Sequence, residues 1–422
     1  MVASRPTVAK KATHSAAEQS LQTWYRTQSA DGTSSCDRYR CCCLLGGFSA
    51  LDCLRIAQIA PLWESVPPLR YGGTERVVHY LTEELVRLGH DVVLFASGDS
   101  CTRAELQSCI PSSLRLGGHQ GDPSVYELIQ LDRVLSQVER FDILHFHTSP
   151  LHFPAVTRLP VPLLNTLHGP QNSPELAALY QQFPSVPLVS ISDSQRRPIP
   201  TAPWLGTVYH ALPLDLYRPG YDPQPYLAFV GRVSPEKRLD RAIAIATAVG
   251  LPLRVAAKVD RADQAYWQGV IEPLVRGNPL VEFIGEVDDA GKQELLANAL
   301  ALLFPIDWPE PFGLVMIEAN ACGTPVIAWR EGSTPEIIQN GVNGELVGSI
   351  EAAAEAVRGI ERLDRRRVRA CFEQRFSVAR QAQDYLALYR GQVEAKAGSG
   401  PFSSVGVAVA AANGIGPVLH VA

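Results

Sequence analysis

From Leu54 onward, short apolar runs alternate with longer amphipathic stretches. The first run, LRIAQIA (54–60), is short and aliphatic and reads as a buried strand. A loop rich in proline and glycine follows and ends in Tyr71-Gly72-Gly73. Thr74 stands where a helix cap is wanted, and Val77, Val78, Leu81, Leu85 and Leu88 then keep a 3.6-residue period. Gly89 can stop that helix, and DVVLFAS (91–97) is the next strand. Strand, helix and strand at this spacing make a parallel unit. Further short runs occur at FDILHFH (141–147), PLLNTLH (162–168) and PLVSIS (187–192). After a stretch holding Pro213, Pro219, Pro223 and Pro225 the rhythm restarts at YLAFVGR (226–232). It continues through PLRVAAK (252–258), LVEFIG (280–285), ALLFP (301–305) and PVIAW (325–329). Two such successions predict an α/β protein of two Rossmann-like, doubly wound domains. Ligands are then expected at the carboxyl ends of the strands, in the central cleft between the domains.

The expected domains are 54–215 and 216–375, with a helix over 376–391 placed to cross back and a flexible tail over 392–422. Length and composition agree, since 422 residues exceed one ordinary domain and 46% are hydrophobic. A net charge of -5 argues against a nucleic-acid partner. No apolar run reaches the roughly 20 residues that span a bilayer. The basic run Arg365, Arg366, Arg367 and Arg369 reads first as a solvated helix face, with peripheral contact to an anionic membrane or acceptor as the second reading. Residues 1–53 show no periodicity and read as disordered and dispensable. They lack acidic residues before Glu18, which also fits a transit segment, and Leu54 fits an alternative start of the ordered protein. The contiguous Cys41, Cys42 and Cys43 suit neither a zinc knuckle nor a disulfide frame, and a lipidation site there is a weaker idea. The cysteines lack paired spacings, so a reducing cytoplasm is the simplest setting.

The densest chemistry lies in WPEPFGLVMIEANACGTPVIA (308–328). Glu310 sits in a loop stiffened by Pro309 and Pro311, and Pro311 suits a helix start. A helix through Leu314, Val315, Ile317 and Glu318 would end at Gly323. The two glutamates then lie roughly 9–12 Å apart along the axis, enough for a diphosphate with a sugar at one end and a ribose at the other. The N–H groups of Phe312, Gly313 and Leu314 would face that diphosphate. Caps or surface charges are the competing reading of the same glutamates. In FVGRVSPEKRLD (229–240), Arg232 and Lys237 follow a strand end, where two cations can neutralise a diphosphate leaving group. In the first half, Gly72 and Gly73 allow a close backbone approach, and His168 ends a strand in NTLHGP (165–170). His145 and His147 share a strand face, but no carboxylate or cysteine is spaced to complete a metal site with them.

Together these segments resemble the family 4 retaining glycosyltransferases of the GT-B fold. The resemblance covers about residues 54–391 and rests on Glu310 and Glu318 with seven residues between them, on GRVSPEK and on the GGTER loop. It implies that Arg232 and Lys237 grip the donor phosphates, that Glu318 binds the ribose hydroxyls and that Glu310 lies by the transferred sugar. It also implies that the amides of Phe312, Gly313 and Leu314 contact sugar and phosphate, that Gly73 lies near the phosphate and that His168 touches the sugar near the reacting centre. Lys258 and the backbone of 283–285 stand where such proteins hold the base. His210-Ala211 departs from the Asn-Gly or His-Gly turn common at the domain crossover. The long N-terminal extension is foreign to the pattern.

The expected activity is transfer of a hexose-type sugar from a nucleotide-sugar, most simply a UDP-sugar, to an unidentified glycan, lipid-linked or small-molecule acceptor. No cofactor or metal is expected, since Asp-x-Asp, the manganese handle of the other large glycosyltransferase fold, occurs nowhere. No enzyme nucleophile stands out, so front-face attack assisted by the leaving phosphate is the expected route to retention. The rivals are a nucleotide-sugar epimerase or hydrolase of the same architecture and a catalytically silent nucleotide-sugar-binding protein. A dinucleotide oxidoreductase fits least, because no G-x-G-x-x-G follows the first strand.

Overall fold

A computed structural model describes residues 53–69, 72–119 and 121–398. The expectations for residues 1–52 and for the tail beyond 398 lie outside the described residues. Two all-parallel sheets form the frame. The first holds β1 (Arg55–Ile59), β2 (Asp91–Ala96), β3 (Glu105–Ser108), β4 (Ile143–Phe146), β5 (Leu163–Thr166), β6 (Leu188–Ser190) and β7 (Trp204–Thr207), in the order β3-β2-β1-β4-β5-β6-β7. The second holds β8 (Leu227–Arg232), β9 (Leu253–Lys258), β10 (Val281–Gly285), β11 (Ala301–Phe304), β12 (Val326–Trp329) and β13 (Gly344–Val347), in the order β10-β9-β8-β11-β12-β13. In each sheet the chain starts in the middle, winds to one edge and returns to build the other. The strand order reverses beside the first strand, and a Rossmann-like domain binds its ligand at that reversal.

Every strand expected from the apolar runs forms. Three more were not legible: β3, β7 and β13. All three are four-residue strands at sheet edges, and no residue of β3 or β7 is fully buried. An edge strand needs no continuous apolar run, so ELQS and WLGT carry no strand signal.

The helices that position the cleft are α1 (Gly73–Arg87), α2 (Leu239–Val249), α3 (Asp289–Asn298), α4 (Leu314–Ala321), α5 (Arg365–Arg375) and α6 (Val378–Gly398). Two starts differ from expectation. Thr74 does not cap α1: the helix begins at Gly73, and Gly72 holds the cap position at φ +152° with no side-chain hydrogen bond. Likewise α4 begins after Gly313, which is left-handed at φ +80°, so Pro311 belongs to the preceding loop.

The basic run is also corrected. Arg365 and Arg369 on α5 are buried rather than solvated. Arg365 donates to the carbonyls of Gly220, Ala297 and Ala299, and Arg369 to those of Leu214, Tyr217 and Ala321. Burial pulls the Arg365 pKa down to about 10, because carbonyl dipoles replace water without supplying a full countercharge. These two guanidiniums fix the crossover segment 214–220 to the second domain. Only Arg366 and Arg367 of the run face solvent.

Helix α6 extends seven residues further than expected, through Gly398, and crosses back to pack on α1, β4 and β5. The two crossovers pair beside it: Leu212 N–H donates to Phe376, and Val378 N–H donates to Leu212. Tyr80 and Ile191 of the first domain join the core cluster of the second, so the domains share an apolar seam.

Candidate active site

The carboxyl ends of β8 and β9 place Arg232 beside Lys258, which pair in register. Arg232 bonds Glu236 at 2.5 Å and lies 3.6 Å from Asp263, while Lys258 bonds Asp260 at 2.7 Å. The turn Pro235–Lys237 then brings Lys237 to the loop before α4. Its ammonium pairs with the Glu310 carboxylate and lies 5.0 Å from the Trp308 ring centroid. Arg238, which follows, is the single non-glycine residue at positive φ among the described residues, held by Asp240 and Asp307.

Glu310 is fixed from several sides. Its side chain accepts the Trp308 indole N–H at 2.8 Å, and its carbonyl accepts Ser333 N–H at 3.0 Å. Gly332, left-handed at φ +57°, lies so close that an added Cβ would meet the Glu310 backbone nitrogen at 2.3 Å. A glycine is therefore required there, and no motif marked it. One residue into the second turn of α4, Glu318 is buried and accepts from Lys292 of α3 at 2.8 Å. Lys292 also lies 3.8 Å from Asp289, which Arg76 of α1 bonds at 2.6 Å from the opposite domain. A second tie between the domains runs from Glu336, whose carboxylate accepts the N–H groups of Asp193 and Ser194, each at 2.7 Å.

These elements enclose a cleft of about 540 Å³. Every residue assigned to the site lines it: Gly73 and His168 from the first domain, and Arg232, Lys237, Lys258, Glu310, Phe312, Gly313, Leu314 and Glu318 from the second. Gly73 faces the second domain closely, since an added Cβ would lie 3.4 Å from Leu314 Cδ1. The backbone of 283–285 does not line the cleft, and the neighbouring Glu286 and Val287 do.

Several cleft residues were not singled out from the sequence. Trp63, Glu64, Glu75, Arg76 and Lys292 line it as well. Glu75 is buried, and burial, reinforced by the Glu64 carboxylate, pushes its pKa up to about 7. At the crossover, where Ala211 stands in place of the turn glycine, His210 stacks on His168 with ring centroids 5.2 Å apart and meets Phe312 edge-on at 5.0 Å. An imidazole thus fills the wall behind His168. His145 and His147 have every ring nitrogen engaged by protein hydrogen bonds. Among the described residues, no group of three His, Cys, Asp or Glu is arranged to hold a metal ion, and no helix is long and apolar enough to cross a membrane.

Comparison with known proteins agrees with this architecture. Family models described as Glycosyltransferase Family 4 and Glycosyl transferases group 1 match residues 71–197 and 219–375. Glycogen synthase of Mycobacterium tuberculosis (strain ATCC 25618 / H37Rv) is 27% identical over 413 residues, covering 80% of this chain and 96% of that protein. A glycosyltransferase involved in avilamycin A biosynthesis superposes with a TM-score of 0.64 at 26% identity, over 81% of this chain and 98% of that one. Sucrose-phosphate synthase from Thermosynechococcus elongatus shares the fold, with a TM-score of 0.67 at 18% identity over 81% and 100% of the two chains.

Proposed function

The chain belongs to the family 4 type of GT-B glycosyltransferases, and from that premise we propose that it moves a hexose-type sugar from a UDP-sugar to an acceptor hydroxyl, with retention and without a divalent metal. One observation carries this reading. Arg232 and Lys258 stand at strand ends, and Lys237 in the turn after β8, in the same cleft as Glu310 and Glu318, which flank the start of α4.

The donor diphosphate would lie between Arg232 and Lys237, where its growing charge as a leaving group is matched by fixed cations. Glu318 would hold the ribose hydroxyls, with Lys292 keeping its carboxylate in place. Glu310 would lie beside the sugar, its negative charge favouring the positive charge that develops at the anomeric carbon. The acceptor oxygen attacks that carbon from the face the phosphate leaves. Its proton passes to the departing phosphate, and the bond between anomeric carbon and phosphate oxygen breaks as the new glycosidic bond forms. Positioning and electrostatics supply the catalysis.

The acceptor would enter along Trp63, Glu64 and Glu75. An exposed indole beside two buried carboxyl groups suits a hydroxyl-rich acceptor such as a glycan, and a relative named glycogen synthase fits that choice. The test is a panel of nucleotide sugars scored by nucleotide release with and without candidate acceptors, with the product anomer read by NMR. Acceptor-dependent release and a retained anomer are expected. Release that ignores every acceptor and yields free sugar would favour the hydrolase, and an inverted product would overturn retention.

A further inference from the structure

A chain of buried side chains runs from His168 at the cleft to the crossing helix α6. His168 Nε2 lies 2.9 Å from His147 Nδ1, and His147 Nε2 lies 2.8 Å from Gln58 Oε1. Gln58 Nε2 donates to the Tyr389 hydroxyl at 2.9 Å, and that hydroxyl lies 2.7 Å from His145 Nδ1. His145 Nε2 in turn lies 2.7 Å from Thr166 Oγ1, which lies 2.9 Å from the Tyr385 hydroxyl. Gln58, His145 and Tyr389 are fully buried, and His147 and Thr166 nearly so.

The Gln58 amide sets the direction of the protons. Its Oε1 carries none, so His147 must donate from Nε2. Burial holds His147 neutral, which leaves its Nδ1 as a bare acceptor for His168 Nε2–H. Burial also keeps His168 neutral, with its pKa pulled down to about 3, so its Nδ1 is a lone pair. That atom is buried and has no hydrogen-bond partner within the protein.

We propose that Gln58, His147 and Tyr389 are positioning residues that fix His168 as its Nε2–H tautomer, so that the Nδ1 lone pair accepts a hydrogen bond from a hydroxyl of the bound donor sugar. This rests on the reading that His168 lies beside the transferred sugar. A hydroxyl that donates to a fixed acceptor keeps electron density on its oxygen, which favours positive charge developing on the ring. A hydroxyl forced to accept from an N–H would oppose it. The arrangement makes Tyr389, contributed by the C-terminal helix, part of the support of a cleft residue in the first domain.

The test uses the full chain labelled with 15N-histidine, the His168 signals being assigned by their loss in His168→Asn. The wild type should show His168 as a single Nε2–H tautomer. Gln58→Met removes the amide at similar volume and should give a mixture of tautomers. Its kcat should fall about 10-fold with donor KM changed by less than about twofold, the usual scale for loss of a residue that orients a site ligand. Gln58→Glu, whose carboxylate accepts from His147 in the same sense, should restore the single tautomer. If Gln58→Met does not fold, Tyr389→Phe reads the same question, because it frees the amide to turn. A wild-type His168 protonated on Nδ1, or an unchanged tautomer in the folded Gln58→Met or Tyr389→Phe variant, overturns the proposal. Normal turnover by His168→Asn would instead sink the placement beside the sugar, and the tautomer result would stand apart from that failure.

Discussion

Lys237 donates to the same Glu310 oxygen that accepts the Trp308 indole N–H at 2.8 Å. The cation read as a phosphate ligand and the carboxylate read as a sugar neighbour are thus one ion pair. Removing Lys237 leaves Glu310 buried with its charge unmatched, and removing Glu310 leaves a partly buried Lys237 without its counter-ion. Lys237→Met should weaken donor binding and lower kcat together, since it deletes a phosphate cation and leaves Glu310 repelling the diphosphate. Glu310→Gln should lower kcat with a smaller change in donor KM, because its charge matters most as the anomeric carbon becomes positive. The double variant should lose less than the sum of the two, which a double-mutant cycle of kcat/KM measures. Additive losses would mean that the two groups act independently.

Glu318 offers a contrasting case. A ribose ligand contributes about equally to ground and transition states, so Glu318→Gln should weaken donor binding by about 1.5–3 kcal/mol while kcat falls less. Lys292→Met should follow it in direction, since Lys292 holds the Glu318 carboxylate at 2.8 Å. Isothermal titration with donor, beside the Tm of each variant, separates this from a capping role. Variants that melt earlier yet bind donor normally would remove both residues from the site.

Much of this site was legible because its residues come from local motifs. Arg232 ends β8 and Lys237 follows in the next turn, while Glu310 and Glu318 flank the start of the helix after β11, so strand and helix periodicity puts them near the ligand-facing edge and the resemblance gave the glutamates their roles. Gly332, Lys292, Glu75 and Gln58 were not legible for the opposite reason. Gly332 matters only because it packs on Glu310, and Lys292 because α3 lies against α4. Gln58 reads as one polar residue inside an apolar strand, and only the fold reveals Tyr389 as its partner from 331 residues away. The run around Arg365 misled because a basic stretch on a helix normally faces water. Here Arg365 and Arg369 instead donate to the crossover carbonyls of Gly220, Tyr217 and Leu214.

Turnover should not depend on a divalent metal. Arg232 and Lys237 would supply the positive charge that a metal would bring to the diphosphate, and no Asp-x-Asp is present to hold one. Rates measured in EDTA, then with added magnesium or manganese, should agree within about twofold. Activity abolished by EDTA and restored by manganese would overturn this assignment.

Glu75 should make stability fall as pH rises. Its folded pKa is raised from the ordinary 4.5 to about 7, chiefly by burial. Between those values the folded chain keeps a proton that the unfolded chain has lost. The resulting stability is fully present below the unfolded pKa and is lost as pH climbs through the folded one. The buried histidines act with opposite sign: His168, lowered to about 3, loses stability as pH falls below the ordinary imidazole range. A single melting curve therefore mixes the two effects. Glu75→Gln isolates one of them, because the histidines are common to both proteins. The unfolding free energy of the wild type minus that of the variant should decrease from about pH 5 to about pH 8, with a slope below the limit of about 1.4 kcal/mol per unit for one proton. Glu75→Gln should therefore fare relatively better at alkaline pH. A difference that stays flat across this window would mean that Glu75 titrates as an ordinary solvated carboxyl, and the cleft wall it forms with Glu64 would then be open to water.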